Sequence, residues 1–207
     1  MDMTLIDLPT LFAKAGFTRW PLLICSMISL AIILERAVYF IQNRFDYQSF
    51  SDDLFSKLNR NEILKAQQLA QQFCHPVAHI AAVYLQNHQN KMRECILSRE
   101  GTLTMERVEK RLRGLAVITH VAPLLGLLGT VGGLVVAFHQ IESTPGMIEA
   151  KMLAGGIWEA LLSTVFGLIV AIPSMIAHHF YESLADKKFR RIQSIIHELD
   201  EFFGNNP

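Results

Sequence analysis

The run Leu153–Ala177, LAGGIWEALLSTVFGLIVAIPSMIA, constrains this chain more than any other stretch: 25 residues with a single carboxylate, Glu159. A helix crosses the hydrocarbon of a bilayer in about 20 residues, so the run reads as a membrane span. Six steps separate Leu153 from Glu159, which sets the carboxylate roughly 9 Å below the end of the helix. A charge at that depth costs at least about 2.5 kcal/mol and is kept where it faces a cavity or a partner. Ser163 and Thr164 add hydroxyls, while Gly155, Gly156 and Gly167 let another backbone come close. The expectation is a helix lining a path for a small cation, H+ above all.

The rest of the chain divides around this span. Residues 1–19 form an outer-side leader with aromatics at headgroup level, and 20–41 a first span. The apolar body of that span, Leu22–Leu34, is too short by itself, and reaching full length takes in Glu35 and Arg36. Adjacent opposite charges near a helix end can pair and snorkel, so they read as an anchor at the inner boundary. Residues 42–113 are a polar helical region: the spacing predicts amphipathic helices over Asp46–Phe73, a turn at Asn59–Asn61, and a helix begun by Pro76. A long rod then runs from about Met92 into a second span, 114–139, where Gly129 and Gly133 form a GxxxG surface and Pro123 invites a kink. An outer-side link, 140–152, leads to the third span, 153–180, which an amphipathic tail helix, 181–207, extends, with Leu184, Phe189, Ile192, Ile195, Ile196 and Leu199 on one face. The predicted fold class is an all-α membrane protein: three transmembrane helices with long cytoplasmic helical extensions, assembling around a central pore.

Composition narrows the classes. The chain is 51% hydrophobic with a mean hydropathy of +0.27, high for a soluble domain. Its 19 Lys and Arg balance 19 Asp and Glu, against a nucleic-acid partner. Cys25, Cys74 and Cys95 are scattered and make neither a disulfide framework nor a metal spacing. Basic residues cluster at Arg44, Lys57 and Arg60, at Arg107, Lys110, Arg111 and Arg113, and at Lys187, Lys188, Arg190 and Arg191. Only Lys151 lies in the link, and Lys14 and Arg19 in the leader. The amino terminus and the link are therefore expected outside, and the polar region and tail in the cytoplasm.

Depth brings the polar span residues together. Thr130 lies roughly 14 Å inward of the outer end of its span, and Thr164 roughly 16 Å below Leu153, so antiparallel neighbours would share one level with Glu159 about a turn outward. Such a group can line a proton path; alternatively each threonine bonds only its own helix. His120 and His139, at the span ends, are weaker proton carriers and read as solvated. Cys74, His75 and His79 put possible ligands within about one turn, where a metal site needs three or four converging ones, and read as solvated helix residues; His178 and Glu182 are an i, i+4 pair that reads as a surface pair, and no cofactor is expected. With no HExxH, GxSxG or P-loop, an enzyme reading has no support.

WPLL at 20–23, ILER at 33–36, APLLGLLGTVGG at 122–133 and GIWEALLSTVFGLIVAIP at 156–173 resemble the ExbB/TolQ/MotA proton-channel family, with the nearer likeness to ExbB and TolQ because MotA-type stators have four spans. The resemblance implies Glu159 as channel glutamate and Thr130 and Thr164 as pore threonines, with Ser163, Gly129, Gly133, Gly155 and Gly156 lining the pore or packing closely. It also implies a homo-oligomer, a pentamer, around a single-span ExbD/TolR-like partner carrying an intramembrane aspartate. That complex would sit in the bacterial inner membrane among lipid and drive a TonB- or TolA-like protein with the proton motive force. Three alternatives stand beside an ExbB role: a TolQ-like subunit serving Tol-Pal envelope maintenance, a passive scaffold in which Glu159 pairs with a partner cation, and a solute transporter, disfavoured because no internal repeat is visible.

Overall fold

A computed structural model describes residues 17–42, 45–143 and 150–205. The described residues are helical apart from short connections, in six helices: α1 (Arg19–Gln42), α2 (Tyr47–Asn59), α3 (Ile63–Gln72), α4 (Pro76–Gln86), α5 (Arg93–Ser143) and α6 (Ala150–Asn205). Helices α1, α5 and α6 are each long and apolar enough to cross a membrane. Most of the leader and the centre of the link lie outside the described residues. The link is narrower than its polarity implies, because α5 runs on to Ser143 and α6 begins at Ala150. The tail extends the third span as its pattern implies: α6 continues through it for 56 residues in all.

The chain divides into two units. A spanning unit comprises the described parts of Met1–Glu35 and Leu112–His179; a peripheral unit comprises those of Arg36–Arg111 and Phe180–Pro207.

In the spanning unit the contact between α5 and α6 is made by small residues. A side chain at Gly126 would lie 3.1 Å from the Thr164 Cα and 3.3 Å from that of Gly167; one at Gly167 would lie 2.8 Å from the Ala122 carbonyl oxygen. Two backbones this close leave no room for a Cβ on either helix. Lipid tails are as apolar as leucine, so helices in a bilayer gain adhesion from such close packing rather than from escaping water. Leu22 of α1 packs with Ile118, Ala122 and Ala171. The hydroxyls of Ser29 on α1 and Ser174 on α6 are 2.5 Å apart and buried, which ties a third helix to the pair.

The peripheral unit has a conventional hydrophobic core. Phe50, Leu54 and Leu58 of α2, Ala66 and Ala70 of α3, most of α4, Leu97 of α5, and Ile192, Ile195 and Leu199 of α6 are buried together. Local chemistry sets the ends of the short helices. The Asp46 carboxylate accepts from Gln48 N–H and Ser49 N–H to cap α2, and Asn61 adopts φ 61° in the turn before α3. At the start of α4, Pro76 sits where a helix lacks an N–H partner anyway, and His75 Nδ1 accepts from Val77 N–H. The end of α6 is held by polar ties: Tyr47 O–H and Ser51 O–H donate to Glu198 at 2.8 and 2.9 Å, and Tyr84 O–H and Arg93 donate to Asp200 at 2.7 and 2.9 Å. Burial and the adjoining carboxylates push both tyrosine hydroxyls above their ordinary pKa.

Two sequence expectations change here. Arg36 is buried, 5% exposed, and donates to the Val108 carbonyl at 3.2 Å, instead of sitting at a solvated rim. On the tail, Phe189 is exposed while Tyr181, Ala185, Lys188, Ile192, Ile195 and Leu199 form the buried stripe. A strict 3.6-residue period runs through 188, not 189, so a cation occupies a core position.

His75 predicts a pH response. Burial first, then the charges of Lys188 and Arg191, lower its pKa to about 4. In the unfolded chain it titrates near 6.5, so between these values the unfolded state binds the extra proton. The stability it contributes is complete above pH 6.5 and is lost as pH falls toward 4. His75→Asn keeps an acceptor for Val77 N–H and does not titrate; thermal unfolding followed by circular dichroism is expected to show a flatter pH profile over that window.

Candidate proton-pathway site

The α5–α6 contacts define an antiparallel register: Gly133 meets Ala160, Gly129 meets Ser163, and Gly156 meets Ala137. By that register Thr130 lies opposite Ser163 and Thr164 opposite Gly129, so the two threonines are within about 1.5 Å of one level along the helix axes. Glu159 lies four to five residues from that level toward the start of α6, about 6 to 8 Å.

Angular placement differs among these residues. Ser163 is 1% exposed, its hydroxyl 2.6 Å from that of Thr18, with Gly129 immediately opposite. It therefore belongs to the helix contact, not to a surface. Thr164 is half-buried and donates across to the Gly126 carbonyl at 3.2 Å. Thr130 is half-buried and donates to the Leu127 carbonyl of its own helix at 2.7 Å. Each threonine oxygen keeps lone pairs that can still accept a hydrogen bond. Glu159 stands about 100° around the helix from Ala160 but only about 40° from Ser163, at the flank of the contact stripe, and it is exposed on the protomer. Its neighbours Trp158 and Leu161 are 52% and 55% exposed, so the carboxylate interrupts an apolar outer surface. Among the described residues it has neither an ion pair nor a hydrogen bond.

The glycines separate into two kinds. Cβ atoms at Gly129, Gly133 and Gly156 would strike Ser163, Ala160 and Ala137 respectively, whereas one at Gly155 would meet open space. Gly155 thus takes no part in close packing within the protomer and lies on its exposed side. His120 Nδ1 is 2.9 Å from the Ala116 carbonyl, and His139 is 3.9 Å from Glu142; both histidines are exposed and engaged with their own helix. In the peripheral unit, Cys74 is exposed, and His75 uses its Nδ1 to cap α4 while His79 lies 3.6 Å from Glu100.

Sequence reasoning missed Thr18 and the Ser29–Ser174 pair. Thr18 was assigned to the leader, yet it is fully buried and its carbonyl accepts from Leu22 N–H at the start of α1. Its contact with Ser163 joins residues 145 apart in the chain, for which no local signal exists.

This arrangement is a carboxylate on an exposed apolar surface, a turn or so toward the 144–149 link from two hydroxyl-bearing residues, on helices locked by small side chains. A model for one protein family matches residues 64–194 and covers the α5 and α6 span segments with all these positions. The chain belongs to the MotA/TolQ/ExbB proton channel family. Among its relatives, the putative biopolymer transport protein ExbB-like 3 of Synechocystis sp. is 33% identical over 181 residues, 86% of each chain. The biopolymer transport protein exbB1 of Vibrio cholerae is 25% identical over 94% of this chain and 87% of its own. The Tol-Pal system protein TolQ of Haemophilus influenzae is 32% identical over 101 residues, 49% of this chain and 39% of its own.

The Gly129 contact predicts a packing effect. Gly129→Ala drives a methyl into Ser163 and Thr18, and overpacking of this kind typically costs about 1 to 3 kcal/mol. The purified protein in detergent is expected to melt at a lower temperature, with part of the loss restored by adding Ser163→Ala.

Proposed function

We propose that this protein is the proton-channel subunit of a motor in the bacterial inner membrane, and that Glu159 is the group that gains and loses the proton. The observation that carries the reading is the placement of Glu159: a carboxylate at span depth, exposed on an apolar surface, with no charge or hydrogen-bond partner among the described residues. A charge so placed is stable only where water or a partner meets it, and both are what a conducting interface supplies. Thr164 and Thr130 complete the path as hydroxyls that accept and pass hydrogen bonds inward of Glu159.

The remaining elements extend from the family. Several copies, five by resemblance, surround a single-span ExbD/TolR-like protein whose intramembrane aspartate is the second titratable group. The amino terminus faces the periplasm, and the polar helical region and tail face the cytoplasm. The coverage of the ExbB-type relatives, 86% and 94% of this chain, supports energising outer-membrane transport through a TonB-like protein. The TolQ match spans 49% of the chain and supports the Tol-Pal alternative. Each proton crossing 100 mV yields about 2.3 kcal/mol, so several per cycle suffice to rearrange a partner.

Glu159→Gln separates a motor from a scaffold. It keeps size and polarity but cannot ionise. A motor is expected to lose proton-driven activity by about a hundredfold while the complex still co-purifies; a scaffold held by an ion pair would lose assembly instead. Uptake driven by the proton motive force, measured alongside co-purification of the single-span partner, reads both.

A further inference from the structure

Within the peripheral unit, a cavity of about 820 Å³ lies between the end of α1 and the early tail of α6, and the proton pathway does not use it. One wall is apolar: Ala37, Phe40 and Ile41 of α1, with Phe180 and Leu184 of α6. These residues directly continue the apolar runs of two candidate spans. The other wall carries Lys187, Lys188 and Arg191.

Lys188 is the informative residue. It occupies a core position of the α6 stripe and is 7% exposed. Among the described residues its Nζ has no hydrogen-bond partner, and it lies over aromatic faces, 4.5 Å from the Tyr39 ring centre and 4.8 Å from that of Phe40. A second buried cation, Arg36, stands 5.0 Å over the same Tyr39 ring. A buried ammonium without an acceptor is costly, and ring faces replace only part of its hydration. Burial, and then the charge of Arg36, lower its pKa to about 8, which leaves it mostly protonated at neutral pH. Three further polar groups of the lining already have partners. Asp46 caps α2, His75 caps α4 and is held neutral, and Arg191 donates to the Phe45 carbonyl.

We propose that this cavity binds an anionic phospholipid, its phosphate oxygens received by Lys188 with Lys187 and Arg191 beside it, and its acyl chain lying along Phe40, Ile41, Phe180 and Leu184. A free phosphate would satisfy the same cations but leave the apolar wall bare, so the wall selects the lipid. A zwitterionic lipid would fill the wall but bring its own cation to a site that already holds several.

The test uses the full chain, purified in detergent and stripped of lipid, with short-chain phosphatidylglycerol, phosphatidylcholine and inorganic phosphate as probes, and binding read by native mass spectrometry and titration calorimetry. Phosphatidylglycerol is expected to bind more tightly than phosphatidylcholine, and millimolar phosphate is expected not to displace it. Loss of one charge-assisted contact corresponds to about tenfold in affinity or more, so Lys188→Met should weaken phosphatidylglycerol by that factor, and Lys188→Arg should retain it. Lys188→Met also places an apolar chain of similar length in a core position, so the lipid-free protein should melt at the same or a higher temperature; a lower melting temperature would assign Lys188 a structural role and overturn the proposal. Unchanged binding in Lys188→Met, equal affinity for phosphatidylcholine, or displacement by phosphate would each overturn it. Leu184→Glu sets a carboxylate in the wall and is expected to abolish binding independently. A photo-reactive label on Leu184→Cys that captured a protein chain in membranes, rather than lipid, would assign the cavity to a partner segment and refute the lipid reading.

Discussion

The approach of α5 to α6 at Gly126 and Gly167 is the constraint on which the spanning unit depends. Here one backbone rests on the other: a Cβ at Gly167 would sit 2.8 Å from the Ala122 carbonyl oxygen and 3.0 Å from the Gly126 Cα. In hydrocarbon no water is displaced when helices meet, so contact must come from dispersion over short distances and from hydroxyls bonded across the gap. The stripe of Gly126, Gly129, Gly133 and Ala137 against Gly156, Ala160, Ser163 and Gly167 supplies both, with Thr164 donating to Gly126 and Ser163 meeting Thr18.

That crossing also determines what remains outside it. With Ala160 and Ser163 facing α5, Glu159 is left at the edge of the contact, on the exposed surface. Leu124, Leu127, Leu128 and Val131 of α5 and Leu161, Val165 and Leu168 of α6 are similarly exposed. A surface of that composition suits lipid or other apolar helices; a carboxylate within it needs water or a partner. The peripheral unit follows a different rule. Its helices bury alanine, leucine and aromatic side chains from water, and tyrosine and arginine donors on Glu198 and Asp200 hold the tail of α6 in register.

Much of this was legible from residue order. The three apolar helices, the turn at Asn61, the start at Pro76 and the unbroken rod from the polar region into the second span all follow from local chemistry: run length, left-handed tolerance of asparagine, the fixed φ of proline, and the absence of a breaker. Depth along a helix was equally accessible, because it depends only on rise per residue, and the α5–α6 register sets Thr130 and Thr164 near one level. Direction around the helix was not. Ser163 and Glu159 are four residues apart in one polar cluster, yet one is sealed in the contact and the other is exposed. Lys188 belongs by sequence to a basic cluster after the third span, yet it lies in a core stripe.

The sequence by itself determined that this is a chain of apolar helices long enough to span a membrane, with the carboxylate of Glu159 inside the third apolar run, since length and composition act on each helix separately. Only the tertiary structure decided which polar residues serve packing and which face outward. Those choices rest on contacts such as Thr18 with Ser163 and Arg36 with Val108, between residues 145 and 72 positions apart. No local propensity encodes such pairs; they form only when the helices meet.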